Sequence, residues 1–284
     1  MSDYTHFIVQ PDSGALGATV SGLDLSRALP EAVQQELYAA WLQYQVLFFE
    51  EQQISLEQFK TFVRYFGELE VHSFIGKAEG DDTVEQFDSI AVSAWAPSTA
   101  VVHIDVSMYQ VPTKGAALYA VDVPSTGGDT IWVNAYAAYD GLSPAMQDFL
   151  ADKSGLFVTA HGGARDAMLR GGPATAHIAK GFLQKPAAHP LVHTHPESGR
   201  KALFVDSLFM WSIEDLKPAE SDALCRFLFQ HVTRPEFQCR LHWRAGTLAL
   251  WDNRCTMHSR VDDLEIDQAR VMHRLPIKGE TSPV

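Results

Sequence analysis

Cysteine is scarce in this chain, and what there is does not pair. Cys225, Cys239 and Cys255 form an odd, scattered set, which supplies neither a disulfide framework nor a zinc cluster and fits a reducing compartment. Basic residues are also few: 22 Lys and Arg face 35 Asp and Glu, a formal net charge of −13. That balance argues against a nucleic-acid partner or an anionic membrane surface, although a local basic pocket could still hold a small anion. No apolar run reaches the roughly 20 residues that span a bilayer. The opening MSDYTHFIVQPDSG lacks a basic stretch followed by an apolar one, so no secretory signal is expected. The expectation from these absences is a cytoplasmic protein.

What is present suits a globular domain. The 284 residues are 46% hydrophobic and 20% charged, enough to bury a core without disulfides or structural metal. No repeat and no linker with a composition shift interrupts the chain, so 1–284 reads as a single domain. Residues 30–44 carry apolar positions at helical spacing behind Pro30, and Ser55 with Gln58 has capping-box spacing ahead of Phe59, Phe62, Val63 and Phe66, which predicts a second helix. Further helices are expected over 144–151 and 219–232. Short apolar runs separated by turn signals predict strands at 46–49, 116–121, 129–133, 155–160, 189–194, 201–206, 237–243, 246–251 and 271–277. Many short strands without regular βαβ alternation favour a mainly β sandwich or jelly roll with flanking helices. Two stretches with little periodicity, 76–100 and 161–188, read as long loops and as lid candidates.

Twelve histidines make histidine placement the first chemistry to test. A His-x-Asp or His-x-Glu pair puts two side chains on one face of a strand, and a distant second histidine can complete a facial triad that leaves metal positions open. His103-Ile104-Asp105 is one such pair and His195-Pro196-Glu197 another. The second lies in turn chemistry, followed by Ser198-Gly199, and reads as a hairpin corner. The first lies among β-branched residues in VVHIDVSM. Alone it reads more readily as a hydrogen-bonded surface pair than as a ligand pair. Toward the C-terminus, TLALWDNRCTMHS leads through a polar turn to His258, and Arg270 and Arg274 follow in ARVMHRLPI. Arginines on an inner strand face need anionic partners, either internal carboxylates or the carboxylate or sulfonate of a small molecule.

Together HIDVSM, PSTGGDTIWVNAYAAYDGLS, HPLVHTHPESGRKALFV, WDNRCTMH and ARVMHRLPI resemble the taurine dioxygenase family (TauD/TfdA-like), over about residues 10 to 278. The resemblance implies a double-stranded β-helix (jelly roll, cupin-like) that uses Fe(II), 2-oxoglutarate as cosubstrate and O2 to hydroxylate a small organic anion, with release of succinate and CO2. It implies His103, Asp105 and His258 as iron ligands, and Thr130 and Arg270 as the residues that hold 2-oxoglutarate. His72 and Arg274 match residues that hold the sulfonate in taurine-cleaving members, and Phe209 falls where those members keep an aromatic against the substrate. Thr99 and Val102 stand where taurine users carry asparagine and tryptophan, Met108 stands where an aromatic is common, and one extra residue separates His258 from Arg270. The anion end of the pocket is thus kept and the amine end altered. The expected substrate is a taurine-like sulfonate or a related sulfonate or sulfate ester, with an aryloxyalkanoate or other carboxylic acid as the alternative. Two readings of other classes are a jelly-roll binding protein without redox chemistry and a zinc hydrolase on the same three ligands. The first would require degraded iron or cosubstrate residues, and the second has no use for Thr130 with Arg270. Homo-oligomerisation is left open, because no interface signal stands out.

Overall fold

The structure, a computed structural model, describes residues 4–71, 77–88, 101–158, 186–264 and 268–284. Along the chain the strands are β1 (Ile8–Pro11), β2 (Ala18–Ser21), β3 (Val46–Phe49), β4 (Lys77–Ala78), β5 (Asp81–Asp88), β6 (Gly115–Asp122), β7 (Thr130–Asn134), β8 (Ser154–Phe157), β9 (Ala187–Pro190), β10 (Val192–Thr194), β11 (Lys201–Leu203), β12 (Met210–Ile213), β13 (Gln238–Leu241), β14 (Leu248–Asp252), β15 (Thr256–Arg260) and β16 (Val271–Ile277). The helices are α1 (Glu31–Tyr44), α2 (Leu56–Val63), α3 (Ala135–Asp140), α4 (Pro144–Leu150) and α5 (Pro218–Val232). Eight strands form the major sheet in the order β1-β2-β3-β14-β6-β16-β5-β4, and β13-β7-β15 forms a smaller sheet. The molecule is a jelly roll with helices on its outside, as the sequence predicts.

Strand alternation assigns the two faces of the major sheet. In β3, Val46 and Phe48 belong to the cluster that also holds Trp132 of β7, Cys239 of β13, Ala249 and Trp251. Leu47 and Phe49 belong instead to the cluster under Leu37, Trp41, Phe59 and Phe62 of α1 and α2. Successive side chains of a strand point to opposite faces, so β3 is apolar throughout because it is buried on both sides. The same holds for β14, buried at all five positions. Ser55 caps α2 by accepting from the Gln58 N–H while the Gln58 side chain accepts from the Ser55 N–H, which is the capping box read from the sequence.

Several boundaries differ from expectation. The 76–100 stretch is not a loop in its first part, since β4 and β5 extend the major sheet there, with β5 antiparallel to β16. Its sequence, DDTVEQFD, hides the strand because Glu85 occupies a buried inner position. Residues 89–100 and 161–185, which carry the rest of the two lid expectations, lie outside the described residues. The predicted strand 189–194 is split into β9 and β10 at Leu191, and 201–206 ends early because Phe204–Asp206 turn inward.

Trp41 and Trp251 press β6 so closely that Gly115 has no room for a side chain. An added Cβ would sit 2.5 Å from the Trp251 carbonyl oxygen and 2.9 Å from the Trp41 ring. Gly115→Ala should therefore destabilise the protein by about 2–3 kcal/mol through overpacking. Urea unfolding checks this, and an unchanged midpoint would contradict the packing.

Candidate active site

His103 and His258 are brought together by backbone, not by side-chain attraction. They form an isolated antiparallel bridge in which each N–H donates to the other's carbonyl, at 2.9 and 2.8 Å. Residues that exchange both hydrogen bonds sit directly opposite, with side chains on one face. Their ring centroids are 4.3 Å apart. The carboxylate Oδ1 of Asp105 lies 3.9 Å from His103 Nε2 and 3.8 Å from His258 Nε2. One ligand atom from each of the three falls within 4.8 Å of the others. His103 Nδ1 lies 2.9 Å from the Val101 carbonyl, which fixes the proton on that nitrogen and turns the Nε2 lone pair to the centre. Burial, and then His103, push the His258 pKa down to about 3, so its imidazole is neutral and able to ligate.

The 103–105 segment belongs to no regular strand, so its backbone is held by side chains. Ile104 N–H donates to Asp206 Oδ2 at 3.0 Å, and Ser107 Oγ donates to the same oxygen at 2.6 Å. Asp206 Oδ1 accepts from the N–H groups of Leu208 and Phe209. Asn253 brackets Asp105: Oδ1 accepts its N–H, and Nδ2 donates to its carbonyl and to that of Thr113. Immediately after Asp105, Val106 has φ of 47°, a strained conformation for a β-branched residue that persists only where its surroundings fix it. Asp206 and Asn253 escaped the sequence reading. The one signal for Asn253 was its place in WDNR.

Arg274 and Arg270 reach different surroundings. Arg274 is buried in β16, where NH1 donates to Glu85 Oε2 at 3.0 Å and NH2 lies 2.8 Å from Asp105 Oδ2. Asp105 therefore turns Oδ1 to the histidines and Oδ2 to the arginine. Burial works against the Arg274 charge, but Asp105 and then Glu85 outweigh it and raise its pKa. Its Nε has no hydrogen-bond partner among the described residues. Arg270, also buried, donates Nε to the Gly128 carbonyl at 3.1 Å and lies 5.9 Å from the Trp243 ring centroid. Burial, then nearby Arg260, lower its pKa to about 10. Trp243 donates its indole N–H to Thr130 Oγ1 at 2.9 Å, so the Thr130 hydroxyl proton is left to donate elsewhere. Gly128 has φ of 68°, and a Cβ there would meet the Arg270 stem at 2.9 Å. Thr130, Arg270, Gly128 and Trp243 thus form one cradle.

The remaining expected site residues divide. Val102 is buried in the core, with its carbonyl accepting from Ser207 N–H and Oγ. Phe209 is partly buried against the same core, and its N–H donates to Asp206, which also accepts from Ile104. His72 and Thr99 lie outside the described residues. A second trio, His195, Asp252 and Cys255, is as tightly clustered as the first, yet it is self-satisfied. His195 Nδ1 accepts from the N–H groups of Glu197 and Ser198, Nε2 faces Asp252 Oδ2 at 3.1 Å, and Arg254 pairs with Asp252. It is the hairpin corner that the sequence predicts. Replacing Asp206 by Asn sets a donor amide against these N–H and O–H donors. Divalent-metal affinity should then fall about 10- to 100-fold, as for other residues that orient ligands. Mn(II) titration measures this, and undiminished affinity would remove Asp206 from the support of the site.

The family described as "Taurine catabolism dioxygenase TauD, TfdA family" matches residues 9–275. An alkylsulfatase of Acinetobacter baylyi is 31% identical over 95% of this chain and 84% of its own length. An alpha-ketoglutarate-dependent sulfate ester dioxygenase of Pseudomonas putida is 32% identical over 96% of this chain and 89% of its own. A crystal structure of a putative alpha-ketoglutarate-dependent taurine dioxygenase from Burkholderia xenovorans superposes with a TM-score of 0.83, at 33% identity, covering 98% of this chain and 94% of that one.

Proposed function

The chain belongs to the taurine catabolism dioxygenase TauD, TfdA family, and from that footing we propose that His103, Asp105 and His258 hold Fe(II) while Thr130 and Arg270 hold 2-oxoglutarate. The protein is a 2-oxoglutarate-dependent dioxygenase acting on a small organic anion. The observation that carries the site assignment is the convergence of two imidazole Nε2 atoms and one carboxylate oxygen, with the tautomer of His103 set by a backbone carbonyl. Two nitrogens and one oxygen on one side of an ion match the facial donor set of non-haem iron oxygenases. The cradle of Thr130 and Arg270 suits a carboxylate, since it offers a hydroxyl proton and a buried guanidinium.

Bound Fe(II), with 2-oxoglutarate and O2, supplies oxidative decarboxylation of the cosubstrate to succinate and CO2 and hydroxylation of a substrate C–H. The chain supplies position and charge. Arg270 and Thr130 fix one end of the cosubstrate, so that its other end is presented to the ligand trio. Trp251, 4.9 Å from the His258 ring, and Trp132 are buried on the inner side of the trio. Arg274, with its unpartnered Nε, receives the anionic group of the substrate. We assign the rest of that pocket to His72, Thr99, Val102 and Phe209. The substrate is a sulfonate or sulfate ester, in keeping with the names of the Acinetobacter and Pseudomonas relatives. A second reading, an aryloxyalkanoate, rests on a 30% identical (S)-phenoxypropionate/alpha-ketoglutarate dioxygenase of Sphingobium herbicidovorans, matched over 96% of both chains. We further propose one catalytic domain over 1–284, and a cytoplasmic location on the strength of its three free, buried cysteines. No helix among the described residues is long and apolar enough to cross a membrane.

Succinate formation tests the assignment. Fe(II)-dependent turnover of 2-oxoglutarate should be stimulated by small sulfonates, sulfate esters or aryloxy acids and abolished in His258→Ala. Activity of His258→Ala at the parent level would refute the trio. Arg270→Ala should raise the 2-oxoglutarate KM about a hundredfold, because it strands a buried carboxylate without its partner. An unchanged KM would mean that another residue holds the cosubstrate.

A further inference from the structure

Glu85 is a fully buried carboxylate to which neither the metal trio nor the 2-oxoglutarate cradle assigns a task. It sits in β5 directly opposite Arg274 in the β5–β16 ladder, and its Oε2 accepts from Arg274 NH1. The other arm of the guanidinium faces Asp105 Oδ2. The charged groups that act on Arg274 are Asp105 from the ligand segment, Glu85 from β5 and Glu70, and the titratable imidazoles beside Asp105 are His103 and His258. When a metal engages Asp105, that carboxylate is matched by the metal. Glu85 is then the carboxylate left in direct contact with the guanidinium, one negative charge against one positive, with Glu70 acting only through space.

This inference rests on the reading that Arg274 receives the anionic group of the substrate. We propose that Glu85 is a specificity-determining residue that limits this group to a single negative charge, admitting a sulfate monoester, sulfonate or carboxylate and rejecting a phosphate monoester or phosphonate dianion. Sulfate esters and sulfonates share a tetrahedral oxygen arrangement with phosphate esters and phosphonates, so shape separates them poorly. Charge separates them well, because a phosphate monoester loses its second proton near pH 6 whereas a sulfate monoester stays singly charged. A buried arginine with no carboxylate beside it would favour the dianion. With Glu85 against its NH1 edge, the second charge of a phosphate meets a like charge where water does not screen it. A repulsive element of this kind gives discrimination between close analogues.

The test is anaerobic calorimetric titration of hexyl sulfate and hexyl phosphate into the protein loaded with Fe(II) and 2-oxoglutarate, for the parent and for Glu85→Gln. Glutamine keeps an acceptor for the Arg274 N–H and removes the charge. At about pH 8 the parent should bind the sulfate at least about tenfold more tightly than the phosphate, and Glu85→Gln should shrink the ratio to about threefold or less, chiefly by gaining affinity for phosphate. A second measurement needs only the parent. Between about pH 8 and pH 6, affinity for the phosphate should rise about fivefold or more as its monoanion becomes populated, while affinity for the sulfate stays within about twofold. The sulfate thereby controls for titration of the protein's own groups. Sulfate binding with a sulfate-to-phosphate ratio indifferent to Glu85, or phosphate affinity flat with pH, would overturn the role of Glu85 and leave the anion-binding reading of Arg274 standing. Failure of the parent to bind either ester would overturn both.

Discussion

The two-residue bridge between His103 and His258 is the constraint on which the site depends. Two backbone hydrogen bonds set a residue from an otherwise irregular segment opposite the middle of β15. That register turns both imidazoles to one side. Shifting either partner by one residue would send its side chain to the other face. The third member of the trio follows from the same bridge, since Asp105 is two residues along, and Asn253 clamps its backbone on both sides. Asp206 fills the gap by taking the Ile104 N–H, so the N–H groups of residues 103, 104 and 105 all find partners. A buried segment outside regular structure is stable only on that condition.

Charge burial is the second organising feature. Arg274, Glu85 and Asp105 are all buried, and each would be costly alone. They are tolerable because the arginine spans both carboxylates, which also gives each oxygen of Asp105 a separate task. The His103, Asp105 and His258 trio and β5 are therefore joined through one guanidinium. By contrast, the His195, Asp252 and Arg254 group closes on itself and on Glu197. It holds the corner from which β14 passes through Asn253 toward β15. Similar residue types thus do two jobs, and what separates them is whether lone pairs are left over.

Much of this was legible in the sequence wherever burial alone dictates residue choice. Strands β3, β6, β7, β14 and β16 read as apolar runs because both of their faces, or most of one, lie in a core. Helices α1 and α2 read from their apolar spacing and from Pro30 and Ser55 at their starts, and α4 and α5 fall where helices are expected, over 144–151 and 219–232. Elements that carry function were harder to read. β5 escaped because Glu85 breaks its inner face. β15, Thr256–Arg260, has a histidine and an arginine at positions where a structural strand would carry apolar side chains. The six-residue α3 has little room for a periodic pattern, and only Asn134, which accepts from the Ala137 N–H, marks its start. The ligand trio was visible as His-x-Asp plus a distant histidine, but it gained meaning only from the resemblance over the whole chain. Asp206, Asn253 and Trp243 act through contacts more than 100 residues away in sequence, and no local pattern announces such partners.

The central claim is that one iron sits among His103 Nε2, His258 Nε2 and Asp105 Oδ1. Diffraction at the iron absorption edge, from anaerobic crystals grown with Fe(II) and 2-oxoglutarate, tests it most directly. The account predicts one strong anomalous peak bonded to these three atoms, with Asp105 Oδ2 still facing Arg274. A peak at the His195, Asp252 and Cys255 cluster, or no peak at the trio, would contradict it.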